Sequence, residues 1–169
     1  MNIESIKISE LSIRSKQSIG AIFLYEASLL EKKLTADLGG LISHQFSILV
    51  AGNLPNWEKD GVGLVVNGRG DDLDEANKLV FGDDNIILDL IDFSTEIALS
   101  CMYTSDFDRS TVFLIRCIEV IKKMPHNEIM LMKDFSDFDA MHAPDWGPVI
   151  SAEKFFTLKQ KHIPLVANF

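Results

Sequence analysis

The amino-acid sequence predicts a helix-rich α+β fold, a single domain over residues 1–169 with a small sheet, and an all-α fold as the alternative. Three observations lead there. The run from Asn85 to Tyr103 is apolar around most of a helical circumference, with its polar residues except Ser94 and Thr95 gathered on one stripe. The run from Ser18 to Leu38 repeats apolar residues at helical spacing. Short apolar segments such as Gly61–Val66 and Glu128–Met132 are of strand length.

Taken in order, Ile3 to Ile13 alternates at Ile6 and Ile8 and again at Leu11 and Ile13, with Ser9 and Glu10 breaking the phase. That suits two short strands or one bulged strand. In the next segment Ile19, Ile22, Phe23, Leu30, Leu34 and Leu38 share a helical face, Ser18 can cap it, and Gly39-Gly40 should stop it. Leu41 to Ala51 suits a buried helix or a strand, and Gly52 to Asn56 reads as a turn. Gly61 to Val66 reads as a strand, and Asp71 to Phe81 as a short acidic helix closed by Gly82.

The Asn85–Tyr103 helix places Asn85, Asp89, Asp92, Glu96, Ser100 and Tyr103 at steps of four, three, four, four and three. Its apolar remainder requires burial on most sides. Thr104 to Asp108 turns the chain, and Asp108 is expected to cap a helix from Arg109 to about Lys123, whose β-branched residues also suit a strand. Ser105-Asp106-Phe107-Asp108 recurs as Ser136-Asp137-Phe138-Asp139; both copies read as turns around a buried phenylalanine. Ser151 should cap a last helix to about Lys161, with Ile163 to Phe169 a final strand.

Length and composition bound the function. A hydrophobic fraction of 47% and a charged fraction of 24% are ordinary for a folded domain. Cys101 and Cys117 have no zinc-site spacing and read as buried thiols on a helical hairpin. No signal peptide or membrane span is read, so the expected location is cytoplasmic.

The charge is concentrated. Residues 61–110 hold eleven acids against Arg69, Lys78 and Arg109, so nearly all of the net −9 lies there. An acidic surface repels nucleic acid and anionic membrane, and it attracts cations. The candidate partner-binding residues are Asp71, Asp72, Asp74, Glu75, Asp83, Asp84, Asp89, Asp92 and Glu96. The expected partner is a basic protein such as a toxin or nuclease domain. In general character the chain resembles bacterial toxin-immunity proteins, although no stretch matches one such family. A solvated strip serving only solubility is the bland reading of the same acids.

Enzyme chemistry finds less footing, and no catalytic residue, metal or cofactor is assigned. Gly70 is followed by Asp71 and Asp72, which would repel phosphate, so the surrounding glycines do not form a phosphate loop. Asp89, Asp92 and Glu96 suit a hard cation by ligand type alone. His142 and Asp145, with Ser151 nearby, are the best local acid–base cluster and carry the enzyme alternative. His44 reads as a core histidine, while His126 and His162, beside prolines, read as surface residues. Trp57 and Trp146 are either interface anchors or core residues under loops.

Overall fold

A computed structural model describes residues 8–67, 81, 85–125, 135–143 and 145–166. Its helices are α1 (Ile13–Leu30), α2 (Ala36–Ser47), α3 (Leu54–Val62), α4 (Asn85–Met102), α5 (Asp108–Ile121), the single turn α6 (Ser136–Asp139) and α7 (Ala152–His162). Helix α4 packs against α1 and α5, and α1 also packs against α2 and α5. The small sheet is not found: the described residues form no strand, only an isolated antiparallel bridge between Leu11 and His142. They therefore follow the all-α alternative rather than the α+β fold.

Each local departure has a physical cause. The predicted Ser18–Leu38 helix is two helices. Ser12, not Ser18, caps α1, its hydroxyl accepting the Ser15 N–H at 3.2 Å. After Leu30 the chain turns through Lys32 at φ 57°, a left-handed residue that ends helical propagation. Thr35 then caps α2 by accepting the Leu38 N–H at 3.2 Å. Gly39 and Gly40 thus sit inside α2 instead of stopping a helix. Burial of Leu38, Leu41, Ile42 and Phe46 outweighs the helix penalty of about 1 kcal/mol per glycine.

Helix α3 replaces an expected turn and the start of an expected strand. Asn53 Oδ1 accepts the Asn56 N–H at 2.9 Å, Pro55 lies in the first turn, and Trp57 turns inward. Gly61 and Val62 are its last residues. Leu11 precedes α1 in the isolated bridge, and Pro164–Val166 forms a 3-10 turn where a strand was expected. The expected elements at Asp71–Val80 and Glu128–Met132 lie outside the described residues.

The hairpin of α4 and α5 matches its sequence reading more closely. Phe107 takes the cap position, and Asp108 occupies the first turn, where a carboxylate suits the helix dipole. The second Ser-Asp-Phe-Asp copy is the helical turn α6, with Phe138 buried. Cys101 and Cys117 are buried free thiols. Ser151 caps α7, accepting the Lys154 N–H at 3.2 Å.

Two apolar clusters hold these helices. The larger contains Ile22 and Phe23 of α1, Phe46 of α2, Leu90 and Ile91 of α4, and Leu114 and Cys117 of α5. Phe135 meets Phe23 edge-on at 5.7 Å. The smaller gathers Ile13, Ile48, Trp57, Ala98, Leu99 and Cys101 where α1, α3 and α4 converge. No helix among the described residues is long and apolar enough to cross a membrane.

Candidate functional site

Helix α4 sorts its side chains by polarity. Leu90, Ile91, Ile97 and Ala98 are buried, while Asp89, Asp92 and Glu96 keep part of their surface in solvent. The carboxylates thus lie along the strip left open by the packing of α1 and α5 on the other faces. Arg116 of α5 lies over the Phe93 and Phe113 rings at 5.5 and 5.1 Å, so a cation borders the same strip. Asp71, Asp72, Asp74, Glu75, Asp83 and Asp84 lie outside the described residues.

Beyond the last turn of α4 the surface becomes concave. A groove of about 300 Å³ is lined by Glu96, Leu99, Ser100, Tyr103, Thr104 and Arg109. Tyr103 is 75% exposed, and its hydroxyl donates to the Glu58 carboxylate of α3. Leu99 also lines a smaller cavity, of about 20 Å³, enclosed by α2, α3 and α4. Its walls include His44, Gln45, Trp57, Glu58 and Thr95. His44 is not a simple core residue: it is half-buried and stacks on Trp57 at 4.7 Å with 12° between the rings. Gly61 is required behind it, because a Cβ there would lie 2.6 Å from His44 Nε2.

Gln45 is the unusual member of this wall. It is 2% exposed, and its Nε2 donates to Ser94 Oγ at 3.0 Å and Thr95 Oγ1 at 3.1 Å. Its Oε1 is buried and accepts no hydrogen bond among the described residues. An unsatisfied buried acceptor costs about 1–3 kcal/mol. Glu58 and Gln45 were not singled out in the sequence, and Tyr103 was read only as a member of the polar stripe of the Asn85–Tyr103 helix. The available signal was weak: Gln45 is one of several polar residues in a stretch without formal charge, and Glu58 follows a tryptophan.

In the acid–base cluster read around His142, Asp145 and Ser151 are each committed to a local backbone bond. His142 is exposed and lines a cavity of about 370 Å³ with Ser9, Glu10 and Ala143. Asp145 accepts the Gly147 N–H on Oδ1 at 2.9 Å, closing a turn, and Ser151 is committed to capping α7. Trp146 is half-buried against the smaller apolar cluster.

His162 corrects a further expectation. It is not a surface residue: it is 2% exposed and lies in ring contact with both Phe135 and Phe138. Its Nε2 is 2.9 Å from Asp137 Oδ2, which also receives Lys161 Nζ at 2.5 Å. Burial opposes ionisation of Asp137, but the hydrogen bonds from Lys161 and His162 outweigh it and hold the carboxyl below its ordinary range. His126 lies outside the described residues.

Buried cations brace the scaffold behind the site. Arg14 donates to the Ile48 carbonyl, capping the C-terminal end of α2. Lys16 Nζ donates to Ser110 Oγ at 3.2 Å, and Lys159 Nζ to Ser43 Oγ at 2.8 Å. Burial lowers the pKa of all three below their ordinary values. Among the described residues no group of His, Cys, Asp and Glu could hold a metal ion.

The described residues thus define a helical protein with a groove carrying Glu96 and Arg109 beside a small, mostly apolar cavity. No protein-family model, curated protein or solved structure matches the chain.

Proposed function

We propose that this chain is a non-enzymatic binding protein that neutralises a cationic protein partner, such as a toxin or nuclease domain. The observation that carries this reading is the sorting along α4, where Asp89, Asp92 and Glu96 reach solvent from a helix otherwise committed to the core. A net charge of −9 concentrated in the middle of the sequence supports it, because such a field accelerates encounter with a basic surface. Tyr103, exposed and held by Glu58, supplies an amphipathic ring of the kind that anchors interfaces. Occupation of a basic partner's nucleic-acid surface by these carboxylates is the mechanism of inhibition.

The test is an affinity pull-down at low and high salt, followed by association kinetics with the partner identified. A basic protein retained at low salt and weakened by high salt is expected. Asp89→Asn, Asp92→Asn and Glu96→Gln introduced together should slow association and flatten its salt dependence. An unchanged on-rate and salt dependence would exclude these acids as the contact.

A further inference from the structure

We infer that Phe93 of α4 and Phe113 of α5 form a guanidinium-binding shelf, which the chain's own Arg116 fills until an arginine side chain of the partner displaces it. This rests on the binding reading above and names the residue type that the acidic strip takes. The shelf already holds the ligand chemistry in question. The Arg116 guanidinium carbon lies 5.1 Å from the Phe113 ring centroid and 5.5 Å from that of Phe93, so one planar cation spans two rings from two helices. Both rings are half-buried and pack against the larger apolar cluster, which holds them in place, whereas Arg116 is exposed.

Arg116 is a weak occupant. Among the described residues no carboxylate pairs with it, although α4 carries Asp89 one turn before Phe93 and Glu96 one turn after it. Its backbone tethers it to α5, and it stands over the rings without closing an ion pair to either acid. A cation–π contact exposed to water and without an ion pair contributes little. An incoming guanidinium carries no such tether. It can stack on the same rings and pair with Asp89 or Glu96 at once, using the fork of donors that Arg116 leaves to water.

The shelf selects arginine over lysine. An ammonium is compact and strongly hydrated, so it gives up more water to lie on a ring, and it cannot pair bidentately with a carboxylate. The surrounding charge favours a cation: Asp89, Asp92 and Glu96 lie along α4, and Glu119 is exposed one turn beyond Arg116. Arg109 is the second cation of this face and lies toward the groove. Val112, one turn before Arg116 and 48% exposed, offers apolar surface to an incoming aliphatic stem.

The experiment titrates the intact chain with N-acetyl-arginine amide and, in parallel, N-acetyl-lysine amide at matched ionic strength. The Phe93 and Phe113 ring signals are followed by NMR of protein carrying isotope-labelled phenylalanine. Arg116→Ala removes an exposed side chain and leaves the core untouched. Saturable ring shifts with the arginine probe are expected, with binding to Arg116→Ala about two- to fivefold tighter than to wild type, the strength of one exposed cation–π contact. Phe93→Leu should abolish the preference for arginine over lysine. Binding to Arg116→Ala no tighter than to wild type, or equal ring shifts with both probes, would overturn the inference and leave Arg116 as a structural cover for the rings. The two readings fail separately. A basic partner whose association is unchanged by Arg116→Ala, with no arginine preference at the rings, removes the shelf but not the binding protein. An arginine preference without any basic partner does the reverse.

Discussion

The side-chain amide of Gln17 bridges one rung of α4 at Ser94: its Nε2 donates to the Ser94 carbonyl at 2.9 Å, and its Oε1 accepts the Ala98 N–H at 3.0 Å. Groups that an uninterrupted helix would pair with each other are joined through a residue of α1. The approach is close, since a Cβ on Gly20 would lie 2.5 Å from Ile97 Cδ1 and 3.5 Å from Ser94 Cβ. Replacing Gln17 by Leu removes both bonds in a buried setting, and a loss of about 1–3 kcal/mol is expected from urea unfolding. A change within about 0.5 kcal/mol would mean that the α4 rung closes on itself without the amide.

Gly147 is expected to resist substitution. Its φ is +71°, and a Cβ there would meet Ser12 Cβ at 2.4 Å, beside the cap of α1. Gly147→Ala combines left-handed strain with a clash and should lower stability by about 1–3 kcal/mol in thermal or urea unfolding. Gly40→Ala is the control: a Cβ there meets nothing within 4 Å, and the site is helical, so this change should be neutral or stabilising.

Acid should loosen the junction between α6 and α7. Asp137 has a folded pKa below its unfolded value, which lies near 3.9. Its contribution to stability is therefore full above that unfolded value and is lost as pH falls through the folded one. Asp137→Asn should lower stability at neutral pH and flatten the pH dependence below about pH 4. Urea midpoints across that range check this; parallel wild-type and variant curves would show that the ion pair contributes nothing to the linkage.

Neither thiol should react in the folded chain. Cys117 is fully enclosed, and burial pushes its pKa well above the ordinary thiol range, so little thiolate forms. Cys101 is 2% exposed, its Sγ directed to the Ile97 and Asp106 carbonyls. An aromatic disulfide reagent should release no colour from the native protein and two equivalents after denaturation. Rapid labelling without denaturant would show that the α4–α5 hairpin opens easily.

Periodicity made α4 and α5 legible because both are long and their polar positions repeat with the helical period. It misread residues 18–38 because a single left-handed residue, Lys32, separates two segments whose apolar positions happen to continue in phase. Helix α3 was hidden behind Gly52 and Pro55, which read as a turn although Asn53 and Pro55 are also a helix start. The α4 acids could be placed at a surface from spacing alone. The cavity could not, since Gln45, Trp57 and Thr95 come together through tertiary packing that no local pattern encodes. His162 was misplaced for the same reason: its adjacent proline suggested exposure, while Phe135 and Phe138 enclose it.

The enclosure of α1 reaches beyond packing. Its side chains from Ile13 to Tyr25 are all buried, with polar members such as Ser15, Gln17 and Ser18 tied to other parts of the chain or to their own helix. This segment cannot fray alone without breaking the bonds of its own Arg14, Lys16 and Gln17 to Ile48, Ser110 and Ser94. Its mid-helix amides should therefore exchange with deuterium only when the whole domain opens. They would serve as an internal gauge of global stability, against which opening of the groove around Tyr103 can be timed.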